Sequence, residues 1–303
     1  MRIIFLGTPD FAVASLQALL ENKMNVVAVV TAPDKPGGRG MKLQQSAVKK
    51  YTLEKNIPVL QPEKLKAPEF LEELKSYKAD VQVVVAFRML PELVWNMPAL
   101  GTINVHASLL PDYRGAAPIN WAIIRGEKET GVTTFKLQHE IDTGNILLQS
   151  RFPISDHDTA GTLHDKLMIE GAQLIVKTLQ QLEAGTLQEF PQAESNEHKH
   201  APKLFTETSK IDWDQSVNDV YNLIRGLSPY PAAFTVVYDK KIKIFVCEKI
   251  HEAHTHESGR ILSDNKTFIH IACKAGLIDI KELQAEGKTR MKTEDYLRGN
   301  KIV

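Results

Sequence analysis

Cysteine is scarce in this chain, with 2 among 303 residues. Cys247 and Cys273 both fall in apolar, strand-like segments, so they read as reduced core residues of a cytosolic protein, not as a disulfide framework. Neither sign of charge is in excess, with 37 Lys and Arg against 37 Asp and Glu. That excludes a bulk basic field for nucleic acid, and any such contact must come from a local patch. No apolar run is long enough to cross a membrane. The opening MRIIFLGTPDF lacks a signal-peptide core and enters a strand at once. The expected setting is the cytoplasm, with no membrane partner. The glycine-rich phosphate signatures are missing as well. The first strand–helix turn reads Gly7-Thr8-Pro9-Asp10 and not Gly-x-Gly-x-x-Gly, and no Gly-x-x-x-x-Gly-Lys-Ser/Thr occurs. A dinucleotide enzyme and a nucleoside triphosphatase are therefore disfavoured. His251, His254 and His256 lie in a polar stretch without a cysteine partner, and His198 and His200 in another. Both groups read as solvated turns, and no metal site is expected.

What the chain does have is core-forming material: 43% of residues are hydrophobic and 24% charged, enough for a globular protein of two domains. Residues 2–6, 26–30, 58–60, 81–86 and 102–106 read as short strands, with helical patterns between them at 11–21 and 68–77. Strands alternating with helices predict an α/β fold built on a doubly wound, mostly parallel sheet. Such sheets bind ligands beyond the C-terminal ends of their strands. The loops at residues 7–10, 31–43, 87–90 and 107–115 are predicted to converge there. Residues 131–138 and 146–152 form an expected antiparallel pair at the sheet edge, before a long helix at 159–184. Residues 190–207 are polar and without period, so the first domain is placed at 1–189 and the second at 208–303, with a linker between. The second domain opens with a helix at 211–226 that Ser228-Pro229-Tyr230-Pro231 breaks. About five short strands follow, with Asp239-Lys240-Lys241 as a hairpin turn, which predicts a small OB-like β-barrel.

One stretch carries chemistry. Ile103-Asn104-Val105-His106-Ala107-Ser108-Leu109-Leu110-Pro111-Asp112-Tyr113-Arg114-Gly115 starts as a strand and ends as a loop. Asn104 and His106 are two apart, so on a strand they share a face. An amide donor beside an imidazole suits a place where negative charge develops on an oxygen. Asp142, in the turn Asp142-Thr143-Gly144, follows an adjacent strand and could reach the same strand ends. Beside His106 it would hold the ring's tautomer and favour the imidazolium. No Ser or Cys nucleophile with a base is evident, so the expected chemistry is direct acyl transfer between two bound substrates. Taken singly, each of these residues is better explained as a satisfied strand side chain or an ordinary turn. The loop at 33–43 combines glycines with Lys35, Arg39 and Lys42 near a strand end, a set that suits phosphate contacts. By itself such a charge run is usually a solvated glycine-rich loop.

The pattern Asn104-x-His106-x-Ser108-Leu-Leu-Pro-x-Tyr-Arg-Gly115, followed by Asp142-Thr-Gly144, resembles the formyltransferase family that uses 10-formyltetrahydrofolate. Phe5-Leu-Gly-Thr-Pro-Asp-Phe11, the 33–43 loop, Gly115-Ala-Ala-Pro-Ile119 and Leu227-Ser-Pro-Tyr-Pro-Ala232 are similar to the members whose acceptor is methionyl-initiator tRNA. The resemblance covers nearly the whole chain. It implies a Rossmann-like catalytic domain, and a second domain that helps hold the tRNA. The formyl group would pass from 10-formyltetrahydrofolate, the co-substrate, to the methionine α-amino group without a metal. Asn104 would bind the formyl oxygen, His106 would stabilise the oxyanion and assist proton transfer, and Asp142 would orient His106. Ser108, Leu109, Leu110 and Pro111 match the family's folate stretch, and Phe87, Met89 and Leu90 would line the pterin pocket. Lys35, Arg39 and Lys42 would meet the tRNA, Arg39 foremost. A monomer is expected. Three positions depart from the family pattern: Arg88, a bulky charge beside the pocket; Asn145, where Asp is often found; and Ser228, where Asn is frequent.

Overall fold

The computed structural model describes residues 1–37, 42–193 and 197–302. The chain forms two compact units. One comprises 1–114, 130–152 and 164–200, and the other 115–129, 153–163 and 201–303. The chain thus passes between units more than once.

The first unit is a seven-stranded sheet. Its strands are β1 (Arg2–Gly7), β2 (Asn25–Val30), β3 (Val59–Leu60), β4 (Val81–Val85), β5 (Thr102–His106), β6 (Glu129–Lys136) and β7 (Ile146–Pro153). They lie in the order β7-β6-β5-β4-β1-β2-β3. The pairs β1–β2, β2–β3, β1–β4 and β4–β5 are parallel, and β6 joins β5 antiparallel. The chain builds outward from β1 through β2 to β3, then returns to β4 on the other side of β1. The order reverses between β1 and β4, and sheets of this kind bind ligands outside the C-terminal ends of the strands at that point.

Strand alternation sorts this sheet into two apolar faces. Ile4 and Leu6 of β1, Ala28 and Val30 of β2, Leu60 of β3 and Val84 of β4 pack in one cluster with Phe70 and Leu74 of helix Pro68–Ser76. Val105 faces the other way. An added Cβ on Gly171, in helix Ala160–Glu183, would meet Val105 Cγ1 at 3.1 Å and Val132 Cγ1 at 3.5 Å. Helix Asp10–Glu21 buries Phe11, Ala12, Ser15, Leu16 and Leu19, a single stripe at helical spacing. Thr8 makes no capping bond to it, because Pro9 holds the cap position.

The second unit contains an antiparallel sheet of six strands. They are β8 (Ala233–Val237), β9 (Lys240–Ile250), β10 (Ile261–Ser263), β11 (Ile269–Cys273), β12 (Gly276–Ala285) and β13 (Met291–Lys292). The order is β8-β9-β12-β11-β10, with β13 on β12. Register shifts in β9 about Val246 mark bulges, which add twist and help curl the sheet into a half-barrel. The hairpin turn falls one residue earlier than the charged triplet suggests. Lys240 already pairs with Val237, so the turn is Tyr238–Asp239, with φ of 48° and 60°. Two left-handed residues are what a tight hairpin with right-handed strand twist demands. Ser216 caps helix Val217–Leu227, accepting from the Asp219 N–H at 3.1 Å. That helix packs Val220, Ile224 and Leu227 against Ile244, Ile278 and Ile280. Cys247 and Cys273 lie in this core, free and buried, and burial pushes the Cys273 thiol up to about 12. Among the described residues, no helix is long and apolar enough to cross a membrane.

Candidate active site

β5 presents Asn104 and His106 on one face, as their spacing requires. Val105, between them, points to the helix carrying Gly171. Asn104 sits beside Val84 of β4 and Phe135 of β6 in register. His106 is only 6% exposed, and its ring meets Phe135 edge-on at 6.4 Å between centroids. Its Nε2 lies 2.9 Å from the Tyr113 carbonyl oxygen. A carbonyl can only accept, so Nε2 carries the hydrogen. Nδ1 faces Asp142 Oδ2 at 3.9 Å, an ion-pair distance and too long for a hydrogen bond. Both ring nitrogens thus face oxygen. The Asn104 side chain is half-buried and, among the described residues, has no hydrogen-bond partner. A half-buried amide left open beside a shielded imidazole fits an incoming carbonyl-type oxygen.

Asp142 does reach the strand end at His106, but not directly from the end of its own adjacent strand. β6 is antiparallel to β5, so its last residue, Lys136, lies beside Ile103 and not beside His106. The loop after β6 must fold back along β5 to bring the carboxylate to the ring. Asp142 takes φ of 55° in doing so. Three contacts hold the loop. Gly144 lies so close to β6 that an added Cβ would stand 1.6 Å from the Lys136 carbonyl oxygen. Asn145 donates its Nδ2 to Glu189 Oε2 at 3.0 Å, and Lys136 Nζ reaches Glu189 Oε1 at 3.0 Å. The Asn145 amide, and then Lys136, hold the Glu189 carboxyl below its ordinary range. Gln192 Nε2 donates to the Asp142 and Gly144 carbonyls, both at 2.8 Å.

The stretch after His106 is braced from within. Ser108 is fully buried and its hydroxyl donates to the Asp112 carbonyl at 2.7 Å. Thr133 donates to the Ser108 carbonyl at 2.7 Å and accepts from the Leu110 N–H at 3.1 Å. Leu110 is buried, while Leu109 and Pro111 are half-buried. The side chains of Ser108 and Leu110 therefore hold the loop's shape and are not free to line a pocket.

The other proposed pocket residues are also divided. Leu90 belongs to the core under helix Pro68–Ser76, Phe87 packs at its edge, and Met89 is 74% exposed. Arg88 donates to the Glu63 carbonyl at 2.9 Å and to that of Pro62, which turns its guanidinium toward the turn after β3. The base of the 33–43 stretch is a hairpin: Lys35–Gly37 pairs antiparallel with Lys42–Gln44. Lys49 reaches Asp34 at 2.6 Å and holds that carboxyl below its ordinary range, while Gln61 donates to the same side chain at 2.8 Å. Lys35 is exposed at this base. Arg39 and the Lys42 side chain lie outside the described residues.

Sequence reasoning missed Thr133, Glu189 and Gln192. A buried Thr needs a partner, so the run Thr133-Thr134 in an inner strand is a usable hint. Glu189 and Gln192 stand in an aperiodic stretch that carries no such signal. His254 also has a structural role, with Nε2 at 3.0 Å from the Cys273 carbonyl and 2.9 Å from that of Gly276. No cluster of three or more His, Cys, Asp or Glu among the described residues could hold a metal ion.

Comparison with known proteins bears on this arrangement. Residues 1–179 match the model of the formyl transferases, and residues 203–301 that of the formyl transferase C-terminal domain. The chain is 53% identical to a methionyl-tRNA formyltransferase of Bacteroides fragilis over 99% of its own length and 95% of the relative's. It is 51% identical to that of Flavobacterium johnsoniae, covering 99% and 96%, and 45% identical to that of Acetivibrio thermocellus, covering 100% and 97%. Two solved structures share the fold at lower identity. An N-formyltransferase from Helicobacter canadensis, in complex with folinic acid and dTDP-3-aminofucose, gives a TM-score of 0.71 at 23% identity, covering 92% of this chain and 97% of that one. HypX from Aquifex aeolicus, in complex with tetrahydrofolic acid, gives 0.67 at 20%, covering 98% and 47%.

Proposed function

The chain belongs to the formyl transferase family, and on that premise we propose how it works as a transferase. It passes the formyl group of 10-formyltetrahydrofolate to the α-amino group of methionine on initiator tRNA, supplying the formylated tRNA for translation initiation. The observation that supports this most directly is the pairing of an open Asn104 amide with a buried His106 that faces Asp142. Asn104 donates to the formyl oxygen. His106, as an imidazolium, stabilises the negative charge that develops there as the amine adds and gives a proton to the folate nitrogen as its bond to the formyl carbon breaks, while the proton shed by the attacking amine restores the ring's charged form. Asp142 orients the ring and stabilises its charged form. The amine is already a competent nucleophile, since an α-amino group titrates at roughly pH 8 when unperturbed.

On this reading residues 1–189 carry the chemistry and 208–303 help hold the tRNA. The backbone of Ser108–Pro111, with Leu109 and Phe87, lies against the folate. Lys35, Arg39 and Lys42 meet the tRNA phosphates, and the enzyme acts as a cytoplasmic monomer.

The test is formylation of charged initiator tRNA with the folate donor. Asn104→Ala should lower kcat on the order of 100- to 1,000-fold, as the loss of one donor to a developing oxyanion does. His106→Ala should abolish turnover while leaving tRNA binding intact. Unchanged turnover in His106→Ala sinks the mechanism, and a wild type that formylates only small amines sinks the choice of acceptor.

A further inference from the structure

We propose that Gln192 is a positioning residue for the transfer, and that it acts by holding the Asp142 carboxylate against His106. The inference rests on the formyl-transfer reading above. Gln192 is half-buried, in the stretch that the sequence marks as a linker. Its amide is fully used. Nε2 donates to the Asp142 and Gly144 carbonyls at 2.8 Å each, and Oε1 accepts from Arg114 Nε at 3.0 Å and Nη2 at 2.6 Å. A side-chain amide offers two donor hydrogens and an oxygen with two lone pairs, and all four find partners here.

The placement of those partners is what matters. Asp142 faces Nδ1 of His106. Arg114 follows Tyr113, whose carbonyl receives Nε2. One side chain therefore ties the backbone on the Nδ1 side of the ring to the residue beside the backbone on the Nε2 side. The Asp142 backbone needs such a tie, because the loop bends back along β5 with Asp142 at φ of 55°. Asp142 Oδ2 lies 3.9 Å from the ring, beyond hydrogen-bond distance, so the approach is sensitive to where the loop backbone sits. On this proposal the Gln192 bond to the Asp142 carbonyl sets where that backbone sits.

A structural tether and a positioning residue make different predictions. Gln192→Ala removes both donors and the acceptor. Gln192→Glu keeps an acceptor for Arg114, loses both donors and sets negative charge against two carbonyls. A displacement near 1 Å can cost about 100-fold in rate. Both variants should lose about 10- to 100-fold in kcat, with KM for folate and for methionyl-tRNA within about threefold of wild type. If Gln192 acts through Asp142, adding Gln192→Ala to Asp142→Asn should lower kcat by less than about threefold further, because coupled residues are not additive. Circular dichroism and thermal unfolding verify that the variants fold.

Wild-type kcat in either single variant overturns the proposal, as does a fully multiplicative loss in the double variant. Hydrogen exchange gives a reading independent of turnover. Amides 142–145 should exchange at least about tenfold faster in Gln192→Ala than in wild type, as expected when a local closure is released. Unchanged exchange there also overturns the proposal. If the wild type formylates no charged tRNA, the functional reading falls, and the exchange measurement still decides whether Gln192 holds the loop.

Discussion

Among single residues, Asn145 shows how a departure from a family pattern can be a local match. Its amide donates to Glu189, which also takes Lys136. An Asp at this position would set two carboxylates against each other. The native Glu189 carboxyl is held below its ordinary range by the Asn145 amide and then by Lys136. The stability it contributes is therefore full above the ordinary glutamate range, and is lost as pH falls through the depressed native value. Asn145→Asp should lower Tm at pH 7 by about 1–3 °C, since the pair is partly exposed. The difference should close as pH is taken below the glutamate range. A deficit that persists at acid pH would point to packing and not charge. The Asn104–His106 pair was legible because a strand has a period of two, and one alternation decides which side chains meet. Glu189 and Gln192 were not, because hydrogen bonds across 44 and 50 residues leave no mark on local pattern. Ser108 was read as a ligand contact. Its burial and its bond to Asp112 show a residue whose chemistry is spent inside the loop.

At the scale of elements, the loop between β6 and β7 matters most. Its Asp-Thr-Gly was legible as a turn. Its direction was not, because only the antiparallel register of β6 reveals that it must double back. Gly144 is where that path touches the strand it leaves. Gly144→Ala should cost about 100-fold or more in kcat, since the methyl group would occupy the position of the Lys136 carbonyl oxygen and displace the loop. Gly185→Ala is the matched control. Gly185 has φ of 68° and no atom within 4 Å of an added Cβ. It should lose about 1 kcal/mol of stability from the left-handed backbone and keep its turnover. Equal activity losses in the two would remove the steric argument. The hairpin base at Lys35–Gly37 and Lys42–Gln44 was hidden for the opposite reason: proline and glycine there suggest a loop, and cross-strand pairing prevails. In the half-barrel, five of the six strands were readable and the short strand Met291–Lys292 was not, while the turn slipped by one residue because left-handed Tyr238 and Asp239 are set by twist.

For the whole molecule, zero formal charge places any tRNA recognition in local patches. If three basic residues meet phosphates, raising salt from 50 to 200 mM should raise KM for the tRNA roughly 20- to 40-fold. KM for the folate donor should move much less. Equal salt sensitivity for both substrates would remove the basic stretch from tRNA recognition. The alternation of strands and helices was enough to read the sheet from the sequence. The assignment of 115–129 and 153–163 to the second unit was not, since both interrupt the first unit's sequence and are joined to the second only by contacts far along the chain. The long reach of the Gln192 contacts has a consequence for synthesis. A chain emerges from the ribosome N-terminus first. Asn104, His106 and Asp142 are all made before the glutamine that ties two of their loops together. On the proposed reading, a nascent chain ending between Asp142 and Gln192 carries the three candidate side chains but not the tie between the loops. The site would then become complete only once residue 192 has been made, after the strands that bear it.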